Sequence, residues 1–318
     1  MGRALVLGCG GTLGFAWTAT VLAELERQGW DPRTADVIIG TSAGAEAAAM
    51  LGAGISAQVV LASLRERPGG DRRVTAHLHS PLAPGGRPGV PRPWLPGVGI
   101  TRSALLRRTD LLSGAAGLLP RGSGDAAWLV DLGSSLQSPT GWVDHPATWL
   151  VATDARSGRR VALGGPRAPK PPLGRAIAAS WAIPGWFPPV KVDGRPLLDG
   201  GVISPTSADL LLPAVGRGEV DEVVVVAPMA TFGGAPATGL ARAERLLRRP
   251  MTRRLDGEVH DLRAAGAHVR RIEPTQQDLD AMGANFMDAR RRPRVLATAA
   301  HTAPALVARR LDGEAVLR

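Results

Sequence analysis

The sequence predicts a three-layer α/β/α fold on one central, mostly parallel sheet, and three observations carry that expectation. Short apolar runs alternate with helix-like stretches along the chain, the order that lays helices on both faces of a sheet. Two glycine-rich turns, Gly8-Cys9-Gly10-Gly11-Thr12-Leu13-Gly14 and Gly40-Thr41-Ser42-Ala43-Gly44, each follow an apolar run and lead into a helical one. Hydrophobic residues make up 44% of the 318, enough for one large core, so a single domain over 1–318 is expected.

Taken in order, Leu5-Val6-Leu7 reads as a buried strand, and residues 15–28 as the helix after the first turn. Residues 35–39 are strand-like, and 43–51, rich in alanine, are helix-like. Residues 65–99 are dense in Pro, Gly and Arg, and read as an insertion or lid. Helices are expected at 101–119 and 126–137, then strands at 149–154 and 159–163 around an Arg156-Ser157-Gly158 turn, with Asp154 a turn residue. An apolar strand at 220–227, a helix at 258–265 and a strand at 267–273 complete the alternation. The Arg-rich stretch 242–254 is helical but interrupted at Pro250.

The two turns carry the chemistry. In the second, a serine stands between small residues at a strand-to-helix turn, the arrangement of a nucleophile elbow. The helix that starts there turns free N–H groups and positive dipole toward Ser42, which suits a developing negative charge. In the first turn, successive N–H groups form a nest for an anion. It lacks the Gly-Lys-Ser/Thr of a phosphate loop, and Leu13 fills the third glycine slot of a dinucleotide fingerprint, so an oxyanion hole fits better. A third element, Leu197-Leu198-Asp199-Gly200-Gly201-Val202, would alone be a turn.

In this order the three elements resemble the patatin-like phospholipases, whose catalytic domain is related to that of cytosolic phospholipase A2. Gly10-Gly11-Thr12-Leu13-Gly14, Gly40-Thr41-Ser42-Ala43-Gly44 and Asp199-Gly200-Gly201 carry the likeness, with flanking support from Ala179-Ser180-Trp181-Ala182-Ile183-Pro184-Gly185-Trp186-Phe187-Pro188-Pro189-Val190 and from Gly201-Val202-Ile203-Ser204-Pro205-Thr206. The resemblance covers roughly residues 3–60 and 145–300. It implies a serine acyl hydrolase for lipid carboxylic esters, phospholipase A- or lysophospholipase-like. Ser42 would be the nucleophile and Asp199 the base, with no histidine between them. Gly10, Gly11, Thr12 and Ala43 would donate to the oxyanion, while Gly14, Gly40, Gly44, Gly200 and Gly201 shape the turns. Two positions depart from the family pattern: Cys9 stands for a glycine and Leu13 for an Arg or Lys. The lost cation keeps open a weakened enzyme, or a non-catalytic lipid-binding protein.

A Ser-Asp-His triad is the rival enzyme, since His260, His268 and His301 all follow Asp199. None of them lies in a Gly-rich or loop context, and the elbow follows only the second strand. His77 and His79 read as loop residues. The single cysteine rules out an internal disulfide framework, and no metal or other cofactor is expected. The net charge of +10 is almost wholly arginine, because Lys170 and Lys191 are the only lysines. Scarce aromatics and the absence of any nucleic-acid motif argue against nucleic acid, while transient contact with a membrane surface remains an expectation. Residues 4–23 carry no charge, but their glycines and polar helix start read as loop and helix, and the expected location is the cytoplasm, peripheral at membranes.

Overall fold

A computed structural model describes residues 2–81, 83, 90, 95, 97–105, 114, 116–231 and 241–312. Eight strands form one sheet: β1 (Arg3–Leu7), β2 (Val37–Thr41), β3 (Thr148–Asp154), β4 (Arg160–Leu163), β5 (Val190–Val192), β6 (Arg195–Asp199), β7 (Glu222–Val226) and β8 (His268–Ile272). The order across it is β5-β6-β3-β2-β1-β7-β8, with β4 also on β3. Pairs among β3, β2, β1, β7 and β8 are parallel, and those of β4, β5 and β6 are antiparallel.

Both faces of the sheet are covered, which is why its strands read as unbroken apolar runs. Leu5, Leu7, Ile38, Val224 and Val226 point into one core, shared with α1 (Gly11–Arg27), α2 (Ala43–Gly52), α3 (Ala57–Leu64), α6 (Ala127–Leu136), α7 (Leu173–Ser180), α10 (Gln276–Met282) and α11 (Arg292–Leu311). Their alternating neighbours Ala4, Val6, Ile39, Val223 and Val225 face a second core, closed by α8 (Leu212–Gly216) and α9 (Ala241–Ala264). Each fully buried Val, Leu or Ile contributes about 1.5–3 kcal/mol. The three-layer α/β/α fold stands as expected.

Four elements differ from the sequence reading. Helix α1 starts inside the glycine turn, four residues early, because Gly14 N–H bonds Gly10 O at 2.9 Å and closes a helical turn there. Helix α9 runs through Pro250, and the helix expected at 258–265 is its C-terminal end. A 24-residue helix absorbs the one hydrogen bond that a proline removes. Within the stretch expected to be an insertion or lid lies α4 (Arg72–Leu78), capped by Asp71, whose carboxylate accepts from the N–H groups of Arg73 and Val74. That helix buries Val74, His77 and Leu78, so His77 is a helical core residue and not a loop one. Of the helix expected at 101–119, α5 (Val98–Leu105) covers the start, while 106–113 and 115 lie outside the described residues, as do 82, 84–89, 91–94 and 96 of the lid.

The feature that builds the site is a seam on β3. Strand β4 lies along one edge of β3 at Leu150–Thr153. On the other edge β2 pairs as far as Val151 and β6 takes over from Ala152. Thr41 and Asp199 therefore sit opposite neighbouring residues of β3, with two strands meeting end to end.

Candidate active site

Ser42 is the first residue after β2, and its backbone sits at φ 56°, ψ −120°, a conformation that costs a non-glycine residue about 1–3 kcal/mol. The surroundings hold it there. Its N–H donates to Ser180 Oγ at 2.8 Å, and Ser180 Oγ in turn donates to Val151 O at 2.6 Å. The turn is tight enough that a Cβ on Gly44 would strike the backbone of Leu7 and Gly8, so only glycine lets α2 approach β1. A Cβ on Gly40 would likewise meet Ala45 Cα at 2.7 Å.

Asp199 ends β6 across the seam. Gly201 N–H donates to its Oδ1 at 2.7 Å, and the Ser42 hydroxyl stands beside the same carboxylate, close enough to draw its proton affinity down. Burial pushes the carboxyl up to about 7, against the downward pull of the Ser42 hydroxyl and the Gly201 N–H. Asp199 N–H bonds Ala182 O at 3.0 Å, so the end of α7 and the turn after it hold both halves: Ser180 the serine, Ala182 the aspartate. Nothing about Ser180 taken alone marks it in the chain, although it lies in the flanking segment that carried the family likeness.

The two side chains open into a recess of about 190 Å3. Cys9, Gly10, Gly11 and Gly201 form its polar backbone wall, and Leu119, Ile183, Val202, Met229, Met251 and Phe286 its apolar one. Among the described residues, the N–H groups of Gly10, Gly11, Thr12 and Ala43 bond no carbonyl or side chain, whereas Leu13 N–H bonds Phe286 O at 3.0 Å. Gly10 and Gly11 line the recess; Ala43 is buried at the start of α2 and does not. Thr12 lines a second, smaller cavity with Glu46 and His77, not the recess that holds Ser42 and Asp199. Gly11 has φ +56°, and a Cβ there would press on Phe286 and Met287. Gly200 packs against Val151 O and Gly201 beside Cys9 Sγ, as the tight turn requires.

Burial and the Asp199 charge hold the Cys9 thiol far above its ordinary range, so it is a packed wall residue without nucleophilic character. Leu13 is wholly buried in the core and brings no charge to the turn. A guanidinium stands behind that turn instead: buried Arg248 donates to Pro228 O at 2.6 Å, and the Pro228 ring packs against Gly10 and Gly14.

No histidine lines the recess. His260, His268 and His301 are exposed on α9, β8 and α11, away from Asp199. His77 lies within 2.8 Å of Glu46 Oε2, one turn along α2 from Ser42, and stacks on Trp128. Its ring is occupied there and does not reach the serine. Among the described residues no group of three or more His, Cys, Asp or Glu side chains could hold a metal ion, and no helix is long and apolar enough to cross a membrane.

The family described as patatin-like phospholipase matches residues 5–212, a stretch that contains both turns and Asp199. Curated relatives include the uncharacterized NTE family proteins Rv1063c of Mycobacterium tuberculosis and Mb1092c of Mycobacterium bovis. Each is 36% identical over 107 residues, covering 33% of this chain and 27% of the relative, so the match spans about a quarter of their length. Among solved structures, VipD of Legionella pneumophila overlays with a TM-score of 0.41 at 13% identity, over 97% of this chain and 67% of that one. The type III effector ExoU overlays at 0.40 and 14%, over 97% and 53%. Both overlays are too loose to bear on chemistry.

Proposed function

The chain belongs to the patatin-like phospholipase family, and from that premise we propose that it is a serine acyl hydrolase for lipid carboxylic esters, working through Ser42 and Asp199. The observation that carries the reading is the Ser42 side chain beside a buried carboxylate pushed up to about 7, the two sharing one apolar recess. A carboxylate of ordinary affinity is a poor acceptor for a serine proton. Burial narrows that gap, and a base poised near neutrality is the useful one.

Ser42 Oγ attacks the ester carbonyl carbon as its proton passes to Asp199. The carbonyl oxygen becomes an oxyanion facing the N–H groups of Gly10 and Gly11, at the N-terminal end of α1. Collapse of the tetrahedral intermediate expels the alcohol, which takes the proton from Asp199, and leaves Ser42 acylated. Water then attacks the acyl-enzyme with Asp199 again accepting the proton; the second tetrahedral intermediate collapses, Ser42 Oγ leaves and takes that proton back from Asp199, and the fatty acid is released. The apolar wall from Leu119 to Phe286 suits one acyl chain, with the headgroup outside.

Covalent labelling by a fluorophosphonate tests this. Wild type labels, Ser42→Ala and Asp199→Asn do not at matched times, and each histidine variant labels like wild type. Loss in one histidine variant moves the reading to a triad. A folded wild type that never labels makes this a lipid-binding protein without catalysis, which Leu13 in place of a cation would explain.

A further inference from the structure

A larger groove, about 940 Å3, opens at the β4 edge of the sheet. The β3–β4 hairpin, the 165–169 loop, the start of β6 and α8 enclose it. Five arginines line it, Arg159, Arg160, Arg167, Arg195 and Arg217, against one carboxylate, Asp154. Two are already engaged: Arg160 grips Asp209 at 2.6 Å, and Arg217 pairs with Glu219 at 2.6 Å. Arg159, Arg167 and Arg195 are exposed, and among the described residues none has a carboxylate within ion-pair distance. Three uncompensated guanidiniums around one recess focus a positive field and draw anions into it. Their planar forks match phosphate oxygens two at a time.

The position of the groove indicates where such a phosphate comes from. Strand β6 carries Arg195 at one end and Asp199 at the other, about 13 Å apart at the rise of a strand. At the recess, Leu119 is 44% exposed and its neighbour Leu118 53%. A soluble phosphate has no use for exposed leucines, whereas a bilayer surface offers headgroups to the arginines and acyl boundary to the leucines. We propose that the groove binds the phosphate headgroups of anionic phospholipids and docks the protein on negatively charged membrane. The dyad takes no part in this, so the proposal stands or falls separately from the hydrolase reading.

The test uses the Ser42→Ala protein, which cannot consume the lipid. Co-sedimentation is measured with vesicles of phosphatidylcholine alone and of phosphatidylcholine with phosphatidylglycerol in equal parts. The groove variant is Arg159→Gln/Arg167→Gln/Arg195→Gln; a control of equal charge is Arg175→Gln/Arg294→Gln/Arg309→Gln, at exposed positions elsewhere. Thermal melts check that both fold, and single Arg167→Gln and Arg195→Gln proteins replace the triple variant if it does not. The expected result is binding confined to the anionic vesicles, weakened by about 100-fold in the groove variant and by much less in the control. Equal losses in the two variants overturn the proposal, since attraction is then spread over the whole surface. Undiminished binding in the groove variant overturns it as well. Displacement of the protein from vesicles by millimolar glycerol phosphate, with no such effect from equimolar sulfate, overturns the lipid surface in favour of a soluble phosphate ester.

Discussion

Asp199 and Glu258 are both buried carboxylates that burial pushes upward, and they differ in how their oxygens are occupied. Glu258 accepts from Ser204 Oγ at 2.5 Å, Thr206 Oγ1 at 2.6 Å, Ala208 N–H at 2.9 Å and Arg254 Nε at 3.1 Å, with Arg160 at 3.5 Å. These partners occupy both of its oxygens, so it clamps the 204–208 segment, whose Pro205 O receives Cys9 N–H at 2.8 Å. Asp199 accepts from Gly201 N–H, has the serine beside it, and faces an open recess. Burial makes a carboxylate hold its proton; spare acceptor capacity beside a nucleophile makes it a base.

The largest effect that would break this comparison comes from the dyad. Ser42→Ala abolishes fluorophosphonate labelling, and Asp199→Asn slows it about 1,000-fold, within the usual range for losing a general base. Glu258→Gln weakens the clamp and leaves Arg160 and Arg254 short of charge. It should cost about 3 kcal/mol in urea unfolding while the protein that stays folded keeps the wild-type pH midpoint for labelling. If Glu258→Gln moves that midpoint, the two carboxylates are not separate in role.

Linkage sharpens the contrast next. Asp199 binds its proton more tightly folded than unfolded, so its contribution to stability falls as pH rises from 3.8 to about 7 and stays low above. Labelling should rise over one proton through about pH 7, the opposite direction. Asp199→Asn should accordingly be more stable than wild type at pH 8 and lose most of that advantage near pH 4, as read by thermal melts. A smaller effect belongs to the elbow: Ser42→Gly relieves the positive φ and should gain about 1 kcal/mol in urea unfolding, whereas Ser42→Ala gains nothing. Smallest of all, His260→Ala, His268→Ala and His301→Ala should label within about twofold of wild type, because surface substitutions stay near neutral.

Much of this was legible in the chain. Strands β1 and β2 declare themselves as apolar runs ending in glycine turns, and the serine between small residues marks the elbow by sterics alone. Asp199 is different: an Asp-Gly-Gly is an ordinary turn until the other two motifs give it meaning. Ser180 was illegible because its work, bridging Ser42 N–H to Val151 O, depends on a contact across the fold. The same holds for Glu258, one acid among many on an Arg-rich helix until four donors from the 204–208 segment and α9 converge on it. The run through Pro250 and the burial of His77 failed local rules for the same reason, since tertiary packing decides both.

The seam on β3 also has a consequence in time. Its two halves come from segments nearly half the chain apart, one delivered by parallel pairing and the other by an antiparallel hairpin. Pairing at that separation is the slow kind, because loop entropy is lost before contacts reward it. A probe that reacts only when Ser42 and Asp199 have met thus serves as a stopwatch. During refolding, its signal should trail the recovery of helical circular dichroism, reporting the moment when the second strand reaches the edge.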